Sequence, residues 1–330
     1  MFIQTVLGPI APESLGVTMA HEHIICDWAL SRRNSNRVRP LPWGSYMCFD
    51  DVDIMIDELL KYRVDGGSAI VEVTTHGWGR DPLALERISK ESGIHIVATT
   101  GFYTEDCMPD WVSNKTVDQL AKWIKREVTV GCNAKMSDEV TNVRAGIIKT
   151  SVSRPSYSHN ELKGLLAVAR AQLMTGAPIT SHNSGSIRFE LKGGNIGGEL
   201  LDILEGEGVE PEAVIVGHTD EKTDVRALAS LAKRGAWIQF DTIGKEGYIL
   251  DETRADLVVK LKERGLLGHL LLGQDRNRKP ELRRYGGPGF SDVLNRFVNV
   301  LRDRGLQSED VNTLLVRNPA KALRMREPSH

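Results

Sequence analysis

Short apolar runs alternate with amphipathic segments along most of the chain. Eight runs rich in β-branched residues are predicted to be strands: Val17–Ile24, Ser68–Thr75, His95–Phe102, Ala145–Val152, Ala177–Asn183, Ala213–Asp220, Ala236–Ile243 and Leu270–Asp275. Six intervening segments have the period of an amphipathic helix: Val52–Tyr62, Leu83–Glu91, Thr116–Val130, Glu161–Thr175, Val225–Arg234 and Thr253–Arg264. Apolar strands that alternate with helices are typical of a parallel sheet whose two faces are both covered.

Eight such units predict an α/β fold, the (β/α)8 TIM barrel. Further helices are predicted from Phe290 onward, the last of them starting at Asn318-Pro319-Ala320. A doubly wound open sheet is the alternative, but no GxGxxG motif follows the first strand. The chain has 330 residues, and no repeat or linker divides it. We therefore expect one barrel domain that comprises residues 1–330.

Composition narrows the class of protein without changing the fold. Hydrophobic residues make up 41% of the chain, charged residues 26%, and the formal net charge is −2, which is ordinary for a soluble globular protein. That charge favours neither nucleic acid nor an anionic membrane. No apolar run approaches the roughly 20 residues of a membrane helix, and neither a secretory signal nor a CxxC pair is evident. We expect a soluble, cytoplasmic protein.

Six polar residues stand at the carboxyl ends of predicted strands, where a TIM barrel carries its active site. His21 and His23 end the first strand, and residues two apart on a strand face the same side. Their imidazoles can therefore bind one metal ion. The other strand ends carry Lys149, His182, His218 and Asp275. Each residue alone has an ordinary structural explanation, such as a hydrogen bond or a helix cap, but six at one mouth favour a metal site.

Lys149 is the unusual member of this set, because lysine is not a common metal ligand. An apolar strand end removes water from the amine, which lowers its pKa and favours the neutral form. A neutral amine can add carbon dioxide and become a carbamate. A carbamate supplies negative charge that the four histidines lack, and its two oxygens can bridge two cations.

The motif Gly16-Val17-Thr18-Met19-Ala20-His21-Glu22-His23 resembles the signature of the phosphotriesterase family in the amidohydrolase superfamily. Similar motifs follow in order at Thr75–Asp81, Thr100–Tyr103, Gly146–Lys149 and Gly217-His218, so the resemblance covers nearly the whole chain. It implies a TIM barrel with two divalent metal ions. By that resemblance, His21, His23 and Asp275 bind one metal, His182 and His218 bind the other, and carbamylated Lys149 and a hydroxide bridge them. Zinc is expected first, and manganese, cobalt and iron suit the same ligands.

The resemblance also implies a mechanism and an assembly. Two metals lower the pKa of a shared water, which then attacks an ester carbonyl or phosphoryl group. Asp275 is placed to accept the proton of that water and pass it to the leaving oxygen. Tyr103 is expected to hydrogen-bond the attacked carbonyl, as in lactonases of this family, although a packed loop aromatic is an equal alternative. The resemblance suggests a homodimer.

Basic residues after the last two strands bear on the substrate. Lys245, Arg278 and Lys279 suit an anionic group, although a solvated loop is the alternative. Lys245 and Arg278 match basic positions of the branch that opens phosphorylated sugar lactones, whereas Glu281 stands where that branch has a phosphate-binding tyrosine. The leading hypothesis is a binuclear metal-dependent hydrolase that opens a small-molecule lactone, sugar-derived and either phosphorylated or not. An organophosphate triester hydrolase and a barrel that binds a small ligand without turnover are the alternatives.

Overall fold

Eight parallel strands follow one another around a single sheet in chain order. The computed structural model describes residues 1–28, 46–152, 157–183, 196–221 and 223–328. Each strand pairs with the next in the chain. The strands are β1 Thr18–Glu22, β2 Ala69–Glu72, β3 His95–Gly101, β4 Ile147–Val152, β5 Ile179–Asn183, β6 Val214–Val216, β7 Trp237–Phe240 and β8 Leu270–Leu272. The sheet curls into a nearly closed cylinder, which confirms the predicted (β/α)8 barrel.

Helices flank the strands on the outside of the barrel. They are α1 Val52–Val64, α2 Pro82–Ser92, α3 Val117–Thr129, α4 His159–Thr175, α5 Ile196–Gly206, α6 Val225–Lys233 and α7 Asp251–Glu263. The sequence pattern does not predict α5, because the consecutive glycines Gly197 and Gly198 weaken the helical signal of its first turn. After β8 come α8 Val298–Asp303, α9 Ser308–Asn312 and α10 Asn318–Ala322, and α10 begins where it was predicted. None of the described helices is long and apolar enough to cross a membrane.

Several predicted strands extend beyond the observed ladder at their carboxyl ends, although β4 and β5 end where predicted. Strand β6 ends at Val216 and β8 at Leu272, several residues before the predicted limits. The backbone turns into the left-handed region at His218 (φ 54°) and Asp275 (φ 49°), which ends the extended conformation. The loop residues nevertheless stay mostly buried, so hydrophobicity alone does not mark where a strand stops.

The amino-terminal hairpin and the last helix cover the bottom of the barrel. Strands Ile3–Thr5 and Gly8–Ile10 pair antiparallel, and the Val6 N–H donates to the Ile96 carbonyl at the start of β3 (2.9 Å). One apolar cluster joins the barrel interior to this hairpin and to α10; its members include Ile3, Leu15, Ala20, Val71, Val97, Ile147, Ile215, Leu271 and Leu323. The amino end of the cylinder is therefore closed by packing, and the carboxyl end is left for polar groups.

A buried ion pair anchors the loop after β2 to α3. Both side chains of the Arg80–Glu127 pair are fully buried, and two parallel N–H···O bonds of 2.7 Å join them. Arg80 also donates to the Thr99 carbonyl (2.7 Å), and Glu127 accepts from the Thr100 hydroxyl (2.5 Å). These hydrogen bonds replace the ones that water would make to the two charged groups, and so offset the cost of burying them.

We predict that Arg80→Met destabilises the fold strongly. The variant leaves the Glu127 carboxylate buried without its partner, at a cost of about 3–5 kcal/mol in the free energy of unfolding. Arg87→Met is the matched control, because Arg87 is half exposed and pairs with Asp53 and Glu91 at the surface, where such pairs contribute roughly 0–1 kcal/mol. Denaturant unfolding of both variants measures the difference. Equal losses would contradict a structural role for the buried pair.

Candidate metal centre

The six polar residues predicted at the strand ends come together at the carboxyl mouth of the barrel. The Nε2 atoms of His21 and His23 lie 3.7 and 3.2 Å from Asp275 Oδ1. Lys149 Nζ lies 3.4 Å from His21 Nε2. One carboxylate oxygen, two imidazole nitrogens and an amine therefore face a common point.

His182 and His218 form a second group beside the first. His218 Nε2 and His182 Nδ1 are 2.6 Å apart, and the ring centroids of His21 and His218 are separated by 5.0 Å. The two groups are thus adjacent. Lys149 lies on β4, which pairs with β5, the strand that carries His182. Such an arrangement offers ligands for two neighbouring ions.

Asp241 joins the two histidine groups and was missed at the sequence level. It directly follows β7 and accepts from His218 Nδ1 (2.7 Å), from His21 Nδ1 (2.9 Å) and from the His218 backbone N–H (3.1 Å). The ligand atoms of His21, His218 and Asp241 are close enough together to bind one metal ion. Because Asp241 contacts the Nδ1 atoms, it leaves each Nε2 directed at the site and orients the rings. A carboxylate at the end of a buried strand is the same signal that identified Asp275.

His23 is oriented by a hydroxyl rather than a carboxylate. Its Nδ1 lies 2.7 Å from Thr74 Oγ1, and its ring packs against Trp78 at a centroid distance of 4.2 Å. The Nε2 atom therefore faces Asp275. Like His21 and His218, His23 has one ring nitrogen held by a neighbour and the other available for a ligand.

Burial controls the protonation of these groups. It lowers the pKa of the Lys149 amine from 10.5 to about 8 and that of His23 to about 4. The pKa values of His21 and His182 are also lowered, chiefly by burial. Burial acts in the same direction on His218, but the Asp241 carboxylate outweighs it and raises the pKa to about 9. Most of the site therefore presents neutral nitrogen donors, the form that binds metal.

The donor set fits divalent transition metals. Imidazole nitrogens and a carboxylate are suitable ligands for zinc, manganese, cobalt or iron. Lys149 is almost fully buried, and a neutral amine at this position meets the chemical requirement for carbamylation. His21, His23 and Asp275 would hold one ion, and His182 and His218 would hold the other.

Aromatic side chains line the mouth next to His182. The Tyr103 hydroxyl lies 3.2 Å from His182 Nε2. Its ring stacks on Trp78 at a centroid distance of 5.0 Å, and Trp28 contacts both rings edge-on. Tyr103 is thus at the mouth, as predicted, with its hydroxyl directed toward one of the candidate ligands.

A cavity of about 620 Å³ opens between the loops that follow β7 and β8. Lys245 forms part of its wall, and the Lys245 ammonium donates to Asp275 Oδ2 (2.6 Å) and to the Asp275 carbonyl. Arg278 is exposed on the opposite loop, lines the same cavity and donates to the Tyr248 hydroxyl (3.2 Å). The lining carries both signs of charge, since Glu246 and Glu281 lie beside Lys245, Arg276 and Arg278. Lys245 connects the cavity to the candidate metal centre through its contact with Asp275.

The other charged residues of this loop have partners of their own. Lys279 lies 3.4 Å from Asp50 and is not part of the cavity lining. Arg276 lines the cavity, but its guanidinium is bonded to Asp292 (2.9 Å). The Glu281 carboxylate accepts the backbone N–H groups of Asn277 and Arg278 at 3.0 Å each. Glu281 thus stabilises the loop, and Arg278 is the exposed guanidinium of the lining.

Four histidines, a lysine and two aspartates thus meet at the carboxyl end of a parallel barrel, which is where TIM-barrel enzymes have their active sites. The profile of the phosphotriesterase family matches residues 1–323, and the chain belongs to that family. Known members act as hydrolases on different substrates. The protein is therefore a phosphotriesterase-family hydrolase.

Two relatives illustrate the range of the family. The phosphotriesterase homology protein of Escherichia coli is 32% identical over 307 residues, covering 93% of this chain and 97% of its own. The N-acetyltaurine hydrolase of Homo sapiens is 28% identical, with 97% of each chain covered. These values are close to each other, so overall similarity does not select one substrate.

Two solved structures share this fold, and one of them is a lactonase. A lactonase from Listeria monocytogenes superposes with a TM-score of 0.86 at 28% identity and covers 99% of this chain and 100% of its own. The Escherichia coli protein, solved with phosphate in its active site, superposes with a TM-score of 0.83 at 30% identity, over 94% of this chain and 99% of its own.

We predict that Asp241→Asn weakens divalent metal binding. An amide has one acceptor oxygen, so either His21 or His218 loses its contact with the residue-241 side chain, and His21 would then keep only Gln239 Oε1 (3.1 Å) at its Nδ1. Outer partners of this kind contribute about 10- to 100-fold in metal affinity. Competition with a chromophoric chelator measures the change, and Asp224→Asn, which alters an exposed carboxylate at the start of α6, is the control. Unchanged affinity in Asp241→Asn would show that Asp241 is not needed to orient the rings.

Proposed function

We propose that this protein is a binuclear metal-dependent hydrolase that opens a lactone carrying a hydroxylated or anionic group, such as a sugar lactone. The observation that carries this proposal is the cavity whose wall includes both Lys245 and Arg278. Lys245 contacts Asp275 directly, and Arg278 lines the same space. A substrate with a reactive ester at the metal centre and a polar group in this cavity would satisfy both parts of the site.

Five residues and a modified lysine would hold the metals. His21, His23 and Asp275 would bind one ion and His182 and His218 the other, with carbamylated Lys149 between them. Bound divalent ions supply a water of lowered pKa and polarise the attacked carbonyl. The burial of Lys149 supports carbamylation, since a protonated amine cannot react with carbon dioxide.

The protein side chains perform the proton transfers. Asp275 Oδ2 is bonded to Lys245 and to the Asn277 amide (3.1 Å), which fixes the carboxylate beside His21 and His23. Asp275 would accept the proton of the attacking water. Asp275 then passes the proton to the leaving alkoxide as the ring opens. The Tyr103 hydroxyl, which lies 3.2 Å from His182 Nε2, would donate to the carbonyl oxygen. Lys245 keeps Asp275 ionised, because its ammonium lowers the pKa of the carboxyl against the opposing effect of burial.

Hydrolysis of an anionic N-acyl amide is the second candidate. Several relatives are N-acetyltaurine hydrolases, and N-acetyltaurine carries a sulfonate that the guanidinium of Arg278 would suit. A neutral organophosphate triester fits less well, because it offers nothing to Lys245 or Arg278. Binding without turnover is also disfavoured, since the site keeps both a buried lysine and an aspartate beside the histidines.

A substrate panel tests the proposal together with Arg278. Metal-loaded protein should hydrolyse hydroxylated or anionic lactones faster than N-acetyltaurine or a neutral triester. Arg278→Ala removes a charge-assisted contact of roughly 1.5–3 kcal/mol, which corresponds to about 10- to 150-fold in kcat/KM for the preferred substrate. An uncharged simple lactone should be nearly indifferent to the change.

Arg284→Ala is the matched control for this experiment, because Arg284 is exposed on the same loop and lies outside the cavity lining. If the protein hydrolysed N-acetyltaurine faster than the lactones, amide hydrolysis would replace lactone hydrolysis as the proposed function. Equal effects of Arg278→Ala on charged and uncharged substrates would remove the anion-binding role of the cavity.

We further predict that Lys149 reacts with carbon dioxide near neutral pH. Its pKa of about 8 leaves a substantial neutral fraction at pH 8, and that fraction falls as pH decreases. Carbamate formation, followed by nuclear magnetic resonance with labelled bicarbonate, should therefore increase with pH through this range. Lys149→Arg should form no carbamate and lose nearly all activity, because guanidinium stays protonated. A fully active Lys149→Arg variant would return Lys149 to a structural role.

A further inference from the structure

We propose that Glu22 is the positioning residue that holds Asp275 in place. Glu22 stands between His21 and His23 in the sequence, but its side chain faces the seam between β1 and β8. It acts on Asp275 through the backbone of the two flanking residues, Gln274 and Arg276. The functional importance of this contact rests on the proposed role of Asp275, whereas the contact itself does not.

The Glu22 carboxylate accepts three hydrogen bonds from the segment Gln274–Arg276. Oε1 accepts the backbone N–H of Gln274 (2.8 Å) and its side-chain amide (3.2 Å), and Oε2 accepts the backbone N–H of Arg276 (2.9 Å). Glu22 is fully buried. Both carboxylate oxygens are thus used on the residues immediately before and after Asp275.

Asp275 requires such support because of its backbone conformation. Its φ of 49° lies in the left-handed region, which is strained for a residue with a Cβ. Two further bonds hold the segment to β1: the Asp275 N–H donates to the His21 carbonyl (3.0 Å), and the His23 N–H donates to the Arg276 carbonyl (3.1 Å). Strained conformations of this kind persist when the surroundings over-determine them.

The seam itself makes Glu22 more important than an ordinary buried carboxylate. The ladder of the barrel runs from β1 to β8 and has no regular pairing between these two end strands. Glu22 supplies three hydrogen bonds at this point, in addition to the two backbone bonds. Closure of the barrel and placement of the Asp275 carboxylate opposite His21 and His23 therefore depend on the same side chain.

Glu22→Gln tests this role with minimal change in volume. The amide has one acceptor oxygen, and its NH2 group must face the N–H of either Gln274 or Arg276. In metal-free protein, the backbone amides of Gln274 and Arg276 should exchange with solvent at least 10-fold faster than in the wild type. Affinity for divalent metal should fall by about 10- to 100-fold, measured by chelator competition. Glu22→Asp keeps both acceptors on a shorter side chain and should give intermediate values.

Glu127→Gln is the matched control, because it also converts a buried carboxylate to an amide but lies in the Arg80 pair. It should lower the unfolding midpoint without selective exchange at Gln274 and Arg276. If Glu22→Gln shows wild-type exchange at these amides, or the same uniform increase as Glu127→Gln, the positioning role is wrong. A wild type that binds no metal would overturn the proposed binuclear function, and the exchange data would then decide the role of Glu22 alone.

Discussion

Closure of the barrel between its first and last strands is the constraint on which this structure depends. A parallel cylinder exposes unpaired backbone groups wherever its end strands fail to meet, and buried groups of that kind are costly. Here the closing bonds fall on His21, His23 and Asp275, so the weakest part of the sheet coincides with the candidate metal centre. The same few hydrogen bonds serve the fold and bring residues from opposite ends of the chain to one point.

Buried charge is the second theme of the molecule, and it is compensated locally in each case. Asp241 accepts from two histidines, Arg80 is matched by Glu127, and Asp275 is matched by Lys245. Removing one member of any of these pairs would leave the other member without its partner in a low-dielectric interior. The mouth of the barrel therefore has little tolerance for single polar substitutions, although its individual residues are ordinary.

Sequence reasoning locates residues whose position along a strand determines their direction. His21, Lys149, His182 and Asp275 could be placed at one mouth because parallel strands end on the same side of a barrel. It did not predict the role of Glu22 or the contact of Lys245 with Asp275, since these partners lie 254 and 30 residues away and depend on side-chain packing. The limits of β6 and β8 were overestimated for a related reason: buried loops have the same composition as strands, and a positive φ at a non-glycine residue leaves no compositional signal.

The hairpin and final helix that close the bottom have a consequence for the evolution of such a protein. The apolar packing at that end uses no residue of the loops that carry Lys245 and Arg278, whereas closure at the mouth depends on the seam between β1 and β8. The loop after β7, which carries Lys245, and the loop after β8, which carries Arg278, are then able to change beyond their contacts with Asp275 without dismantling the core. Substrate range can diversify among descendants while the ligand residues stay in place, which is consistent with relatives that hydrolyse a lactone in one case and an amide in another.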